Sequence, residues 1–228
     1  MKTGIVLGLT LTLSLLGGCA SYDASQAPAL DRDIQATRAV VENAHLSMMA
    51  RPMHQEDELK AYFDTDLVYW QVLPIQIQLA NHEAGKELAF SLDGLQLVDA
   101  GNQQHPLLHL DDVMSQAGRS YGRSLGWGVA FGLIGAGISA YQVTEANKQM
   151  RADFSRRMLK DTLLKPGEKT EGVAFFSVPK KLQSLDGWKL TLFTQRTEGG
   201  ELVLDYSLGG QVALRQNGAE EDVQTAFD

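Results

Sequence analysis

The sequence predicts an α+β protein: an antiparallel β-sandwich preceded by N-terminal helices and interrupted by a long, Gly-rich helical hairpin. Two observations carry that prediction. Short apolar-alternating runs occur on both sides of the middle, separated by turn residues every 8 to 12 positions, the pattern of stacked antiparallel sheets. Between them, Ser124 to Thr144 holds no charged residue and repeats small residues at helical spacing. The predicted layout is residues 1–18 leader, 19–29 tether, 30–64 helical segment, 65–215 sandwich with an insertion at 110–162, and 216–228 acidic tail.

Lys2 gives a positive start, Ile5 to Leu16 is apolar apart from Gly, Thr and Ser, and Leu16-Gly17-Gly18-Cys19 closes the stretch. That order reads as a secretory signal peptide. The apolar run is shorter than the roughly 20 residues of an untilted membrane span. Leu16, Gly17, Gly18 and Cys19 resemble the lipobox of bacterial lipoproteins. The resemblance implies removal of residues 1–18, a diacylglycerol on the Cys19 thiol and an acyl chain on its freed amino group, with no other cofactor. Two or three chains at about 0.8 kcal/mol per buried methylene make attachment nearly permanent. Ala20 and Ser21 stand where inner-membrane lipoproteins of enteric bacteria tend to carry Asp, so the resemblance implies the outer membrane, with the body in the periplasm. The partner so implied is the membrane, reached through the lipid anchor.

The processed chain would keep 210 residues, with 19 basic against 28 acidic side chains once Lys2 is gone. A net charge of about −9 argues against nucleic acid, whose phosphates demand a basic face. Cys19 is the only cysteine. No disulfide can then staple the fold, which must rest on its core.

Ala20 to Ala29 is small and polar, as a tether would be. Leu30, Ile34, Val41, Ala44 and Met48 recur near 3.6 residues and predict a helix of about five turns, stopped by Pro52. Gln55 to Phe63 predicts a second, shorter helix before a turn at Asp64-Thr65-Asp66. In Val72 to Leu79, Ile75, Ile77 and Leu79 share one face and Gln76 and Gln78 the other, which predicts a half-buried strand with Pro74 at its start or edge.

Glu87 to Ser91 and Leu95 to Val98 predict two more strands joined by a tight turn at Asp93-Gly94, with another turn at Asp99 to Asn102. Lys165-Pro166-Gly167-Glu168 predicts a turn. Gly172 to Val178, Trp188 to Thr194 and Glu201 to Leu208 predict the remaining strands.

A second resemblance covers roughly residues 60 to 195. Tyr62-Phe63, Leu73 to Asn81, the Gly-rich middle, Leu164 to Glu168 and Gly172 to Phe176 together look like uncharacterised bacterial lipoproteins with an immunoglobulin-like sandwich. The resemblance implies an immunoglobulin-like fold and transfers no activity. The Cys-Trp-Cys core of antibody domains is missing from the sequence.

Within the insertion, Trp127, Phe131, Ile134, Ile138 and Tyr141 form one bulky helical stripe, opposite small residues. Seven glycines from Gly118 to Gly137 would cost a helix about 1 kcal/mol each relative to alanine. Close approach of a second helix offsets such a cost. Gly118, Gly122 and Gly126 on one segment, and Gly128, Gly132 and Gly135 on the next, are the candidate packing residues of a hairpin turning near Gly126 to Gly128. Three uses stay open. The hairpin packs on the body itself, or its small-residue face pairs with a second copy or an envelope protein. Alternatively Ser124 to Thr144, about 31 Å as a helix, enters a bilayer.

Catalytic and metal signatures are weak. In Gly126-Trp127-Gly128 with Gly132, the third glycine comes one residue late for a dinucleotide loop. His105, His109, Asp111 and Asp112 have ligand-type side chains, but Pro106 breaks any helical pairing, and solvated loop positions are expected. His45, His54 and His82 stand alone in sequence. Asp64, Asp66 and Glu56-Asp57-Glu58 read as solvated faces. No Gly-x-Ser-x-Gly or His-Glu-x-x-His occurs. The expectation is a binding or scaffolding protein of the envelope, and not an enzyme. An oligomeric or membrane-active assembly subunit is the alternative.

Overall fold

The computed structural model describes residues 28–30, 41–42, 45–117, 133–180, 182, 184–197, 199–208 and 212–213. The chain is mixed α+β and mostly antiparallel. Five strands form one sheet in the order β1 (Val41–Glu42), β2 (Leu46–Pro52), β3 (Val72–Asn81), β9 (Lys169–Ser177) and β7 (Leu107–Leu108). A second sheet runs β12 (Val212–Ala213), β11 (Glu201–Ser207), β10 (Lys189–Arg196), β4 (Leu88–Phe90) and β8 (Thr162–Leu164). In it β5 (Leu95–Val98) also pairs with β10, and β6 (Gln104–His105) with β5.

The facing sides of the two sheets share one core. Leu73, Ile75, Ile77 and Leu79 of β3 meet it from the first sheet, and Leu190, Leu192, Leu204 and Tyr206 from the second. Ile75, Ile77 and Leu79 are the alternating positions read from the sequence. The other face of the first sheet is also covered. There α1 (Glu56–Phe63), α2 (Leu110–Ala117) and α3 (Leu133–Arg157) lay Leu59, Phe63, Val113, Met150 and Phe154 against Val72, Val173 and Phe175. Phe63, Phe154 and Phe175 form a ring triplet with centroids 5.3, 5.8 and 5.9 Å apart.

Two expectations are corrected here, the first by the helical layer and the second by sheet pairing. β3 is covered on both faces, not half-buried, and Gln76 is 0% exposed. Leu46–Pro52 is a strand paired with β3 from Leu46↔Asn81 to Pro52↔Ile75, in place of the helix expected from Leu30 through Met48. Leu46, Met48 and Ala50 satisfy period two as well as Val41, Ala44 and Met48 satisfy 3.6, and sheet pairing decides between them. Residues 31–40 of that expected helix lie outside the described part.

Asp93-Gly94 does not join two paired strands either. β4 and β5 lie end to end along β10, and between Ala89 and Leu95 six residues advance against three on β10, from Gln195 to Leu192. The excess forms a 3-10 turn, Leu92–Gly94. Gly94 passes so close that a Cβ there would collide with the Phe193 carbonyl oxygen.

The second helix is observed at Glu56–Phe63, and Asp64 closes it in the left-handed region at φ 54°. Ahead of β3, Val68–Trp70 form a 3-10 turn. The Lys165 to Glu168 turn carries Gly167 at φ +79° and passes the chain from one sheet to the other. The insertion supplies α2 and α3, and its expected bend at Gly126 to Gly128 lies outside the described residues.

Candidate functional site

The helices of the insertion meet beside a cavity of about 570 Å³ lined by Asp111, Met114, Ser115, Thr144, Asn147, Lys148 and Arg151. Asp111 and Asp112 sit in the first turn of α2, where the helix dipole favours negative charge. Asp112 Oδ2 accepts from the His109 backbone N–H at 3.3 Å, the return half of a capping box. Val113 and Ala117 anchor α2 below, as Met150 and Phe154 anchor α3. The remaining faces then oppose each other, and Arg151 donates to Asp111 at 2.5 Å across them. Gln116 Oε1 and Asn147 Oδ1 are buried without a hydrogen-bond partner. A lining with both charges, a hydroxyl pair and an amide can hold a polar ligand.

Three polar clusters brace the rest of the body. Glu83, 7% exposed, receives Arg196 Nε on both carboxylate oxygens, with His45 Nδ1 at 3.6 Å and Lys86 Nζ at 3.7 Å. Burial pushes its carboxyl up, but the Arg196 guanidinium outweighs burial with help from His45 and Lys86, and holds it below the ordinary carboxylate value.

Arg51 forms an ion pair with Glu58, donates to Gln76 Oε1 at 3.0 Å and lies under the Tyr62 ring. Buried His105 lies within hydrogen-bond distance of the Ser177 carbonyl through Nδ1 (3.1 Å) and of Asp99 Oδ2 through Nε2 (3.2 Å), and stacks on Trp188 at 4.6 Å. The Gln103 backbone N–H, aided by His105 and the Gly101 N–H against some burial, holds the Asp99 carboxyl below its ordinary value.

Several expectations change here. His105 is not a solvated loop residue; it is a buried bridge between the two sheets. His45 faces Glu83, and His82 shares a 2.8 Å hydrogen bond with Ser47. Glu58 is not simply solvated, because it pairs with Arg51. Among the described residues, no three His, Cys, Asp or Glu side chains converge as a metal site. No helix among them is long and apolar enough to cross a membrane.

Of the predicted packing glycines, Gly135 lies in the first turn of α3. Gly118, Gly122, Gly126, Gly128 and Gly132, and the lipidation candidate Cys19, lie outside the described residues. Arg51, Glu83, Arg196 and Asp153, which pairs with Arg157, carry ion pairs that no motif or periodicity marks. Arg51 had a signal, as the one charge in the run Leu46 to Met53; Glu83 and Arg196 lie 113 positions apart and had none.

No family model and no curated protein matches the chain. Among solved structures it is similar to the crystal structure of the yjhA protein from Bacillus subtilis. The identity is 12%, over 68% of this chain and 76% of that one, with a TM-score of 0.34. A likeness at that level carries neither fold nor function across.

Proposed function

We propose that this chain is a lipoprotein anchored to the outer membrane through acylated Cys19, whose periplasm-facing body binds or scaffolds another envelope component and does no covalent chemistry. The observation that carries the reading is Leu16-Gly17-Gly18-Cys19 at the end of a short apolar run behind Lys2. The two sheets with a shared core agree with an immunoglobulin-like sandwich, and α2 and α3 with the two arms of a Gly-rich hairpin. The conspicuous charged side chains are spent on bracing: Glu83 on Arg196, Arg51 on Glu58, Asp153 on Arg157.

Cells fed an alkyne fatty acid should label the protein, and Cys19→Ser should abolish the label and release the protein from the outer-membrane fraction. An unmodified sulfur in the mature product, or a Cys19→Ser variant still bound to membrane, overturns the reading. The assembly-subunit alternative rests on the glycine rows. It predicts oligomers of the lipidated protein in detergent that disappear when Gly132 and Gly135 become Leu.

A further inference from the structure

We infer that the helical layer is the face turned toward the membrane, with Tyr69 and Trp70 seated among the headgroups of a neutral lipid surface. This rests on the reading that Cys19 is lipidated.

The polypeptide that leads back to Cys19 reaches the body at one defined place. The Pro28 carbonyl accepts from Arg157 Nη1 at 3.0 Å. Arg157 is itself held by buried Asp153, its Nε 2.9 Å from Oδ2, at the last turn of α3. Two residues on, Leu30 packs against the cluster formed by the helices and the outer face of the first sheet. Nine peptide steps separate Cys19 from Pro28. Even fully extended they span only about 31 Å. A body of this size is about 40 Å across, from a radius of gyration near 16 Å. The lipids therefore lie closer to the face that holds Pro28 than the body is wide.

The 3-10 turn Val68–Trp70 sits at the end of the first sheet, where Val68 packs against both this cluster and the core between the sheets. Beyond Val68, Tyr69 is 52% exposed, one of two large hydrophobic side chains so exposed among the described residues. It meets Trp70 edge to face at 5.0 Å, and its backbone N–H is fixed to Asp66 Oδ1 at 3.1 Å. A Tyr-Trp pair with apolar bodies and polar tips suits the boundary between hydrocarbon and water. Exposed Asp64, half-buried Asp66 and the processed chain's net charge of about −9 make an anionic surface unfavourable. The lipid that fits is neutral.

The test uses the full lipidated protein in vesicles of phosphatidylcholine and phosphatidylethanolamine with brominated chains, reading tryptophan quenching. Quenching should be present, be lost in Trp70→Phe and persist in Trp127→Phe, with phosphatidylglycerol weakening it. Persistence in Trp70→Phe, or loss confined to Trp127→Phe, overturns the inference while the anchor stands. Stronger quenching with phosphatidylglycerol overturns the choice of a neutral surface. A protein that fails to float with the vesicles overturns the anchor reading and the inference together.

Discussion

Arg196 holds both carboxylate oxygens of Glu83, with its Nε 2.9 Å from one and 3.1 Å from the other. The pair joins the end of β10 to the turn after β3, and so ties one sheet to the other. Removing one partner leaves the other charge desolvated, which costs about 3 kcal/mol in such settings. Arg196→Met should lower the unfolding free energy by about that amount in urea titration, and the double variant with Glu83→Leu should cost less than the two singles summed. The sign of the pH dependence follows from the lowered carboxyl. Its stabilisation is present above the ordinary glutamate value and is lost as pH falls through the depressed folded value. Arg196→Met leaves burial to dominate the Glu83 carboxyl and should shrink or invert that acid limb; an unchanged limb would show that Glu83 does not contribute to it.

Asn81 closes the same end of the body. Its Nδ2 donates to the Lys86 carbonyl at 2.8 Å and to Leu164 at 2.9 Å, and its Oδ1 accepts from the Glu83 N–H at 2.8 Å. The side chain is 0% exposed, so both ends of the amide are used with no water to replace them. Asn81→Asp should be worse than Asn81→Ala, because an ionised carboxylate faces two carbonyls that can only accept. It should also recover part of the loss on acidification, when one oxygen gains a proton. Equal stability of the two variants across pH would refute this assignment.

Asp99 and His105 make a similar clasp at the opposite end of β5. Because Gln103, Gly101 and His105 all donate to Asp99, its carboxyl is held low. Its contribution is therefore present above the ordinary aspartate value and fades as pH falls through the lower, folded one. Asp99→Asn keeps an oxygen for the two backbone N–H groups but removes the charge, and should flatten this part of the pH profile. His105→Phe preserves the ring face on Trp188 while losing both hydrogen bonds, and should cost about 2 kcal/mol. Thermal melts of the two variants over an acid series check both outcomes.

The strands that were legible in the sequence are those whose pattern answers to one neighbour. β10 and β11 alternate Leu190, Leu192 and Leu202, Leu204, Tyr206 toward the core, with Lys189, Thr191 and Asp205 beside Phe193 and Val203 on the other face. β3 was placed correctly but assigned the wrong surroundings. Gln76 looks like a solvent residue by type and is covered because Arg51 supplies it a hydrogen-bond partner. β2 was hidden because its methionines fit a helix or a strand, and only pairing with β3 selects one. The polar clusters were not legible, since their partners come together through sheet topology and leave no periodicity behind.

Gly172 marks where the exit from α3 crosses β9. A Cβ there would lie 2.5 Å from both the backbone nitrogen and the Cα of Leu159, and neither can move without breaking the Leu159 N–H to Val173 carbonyl bond at 3.0 Å. Gly172→Ala should therefore destabilise by about 3 kcal/mol as an overpacked site. Gly101→Ala provides the contrast: its only close neighbour is the Asp99 Oδ1 atom at 3.2 Å, in an exposed turn. Its cost should stay below about 1 kcal/mol. If the two alanines cost the same in denaturant, the crossing is not as tight as described.

The ring triplet decides whether the helical layer is held mainly by its aromatic contacts. Phe154 meets Phe63 edge to face at 5.3 Å and stacks on Phe175 at 5.8 Å, so one side chain links α3, α1 and β9. Its removal leaves a cavity in the outer cluster and none in the core between the sheets. Phe154→Ala should cost about 4 kcal/mol. Hydrogen exchange should then show α1, the second half of α3 and the Arg157 seat for Pro28 opening first, while β10 and β11 keep their protection. Leu204→Ala, which empties the other core, should invert that order. Uniform loss of protection in both variants would mean that the two clusters unfold as one unit and that the helices are not a separable layer.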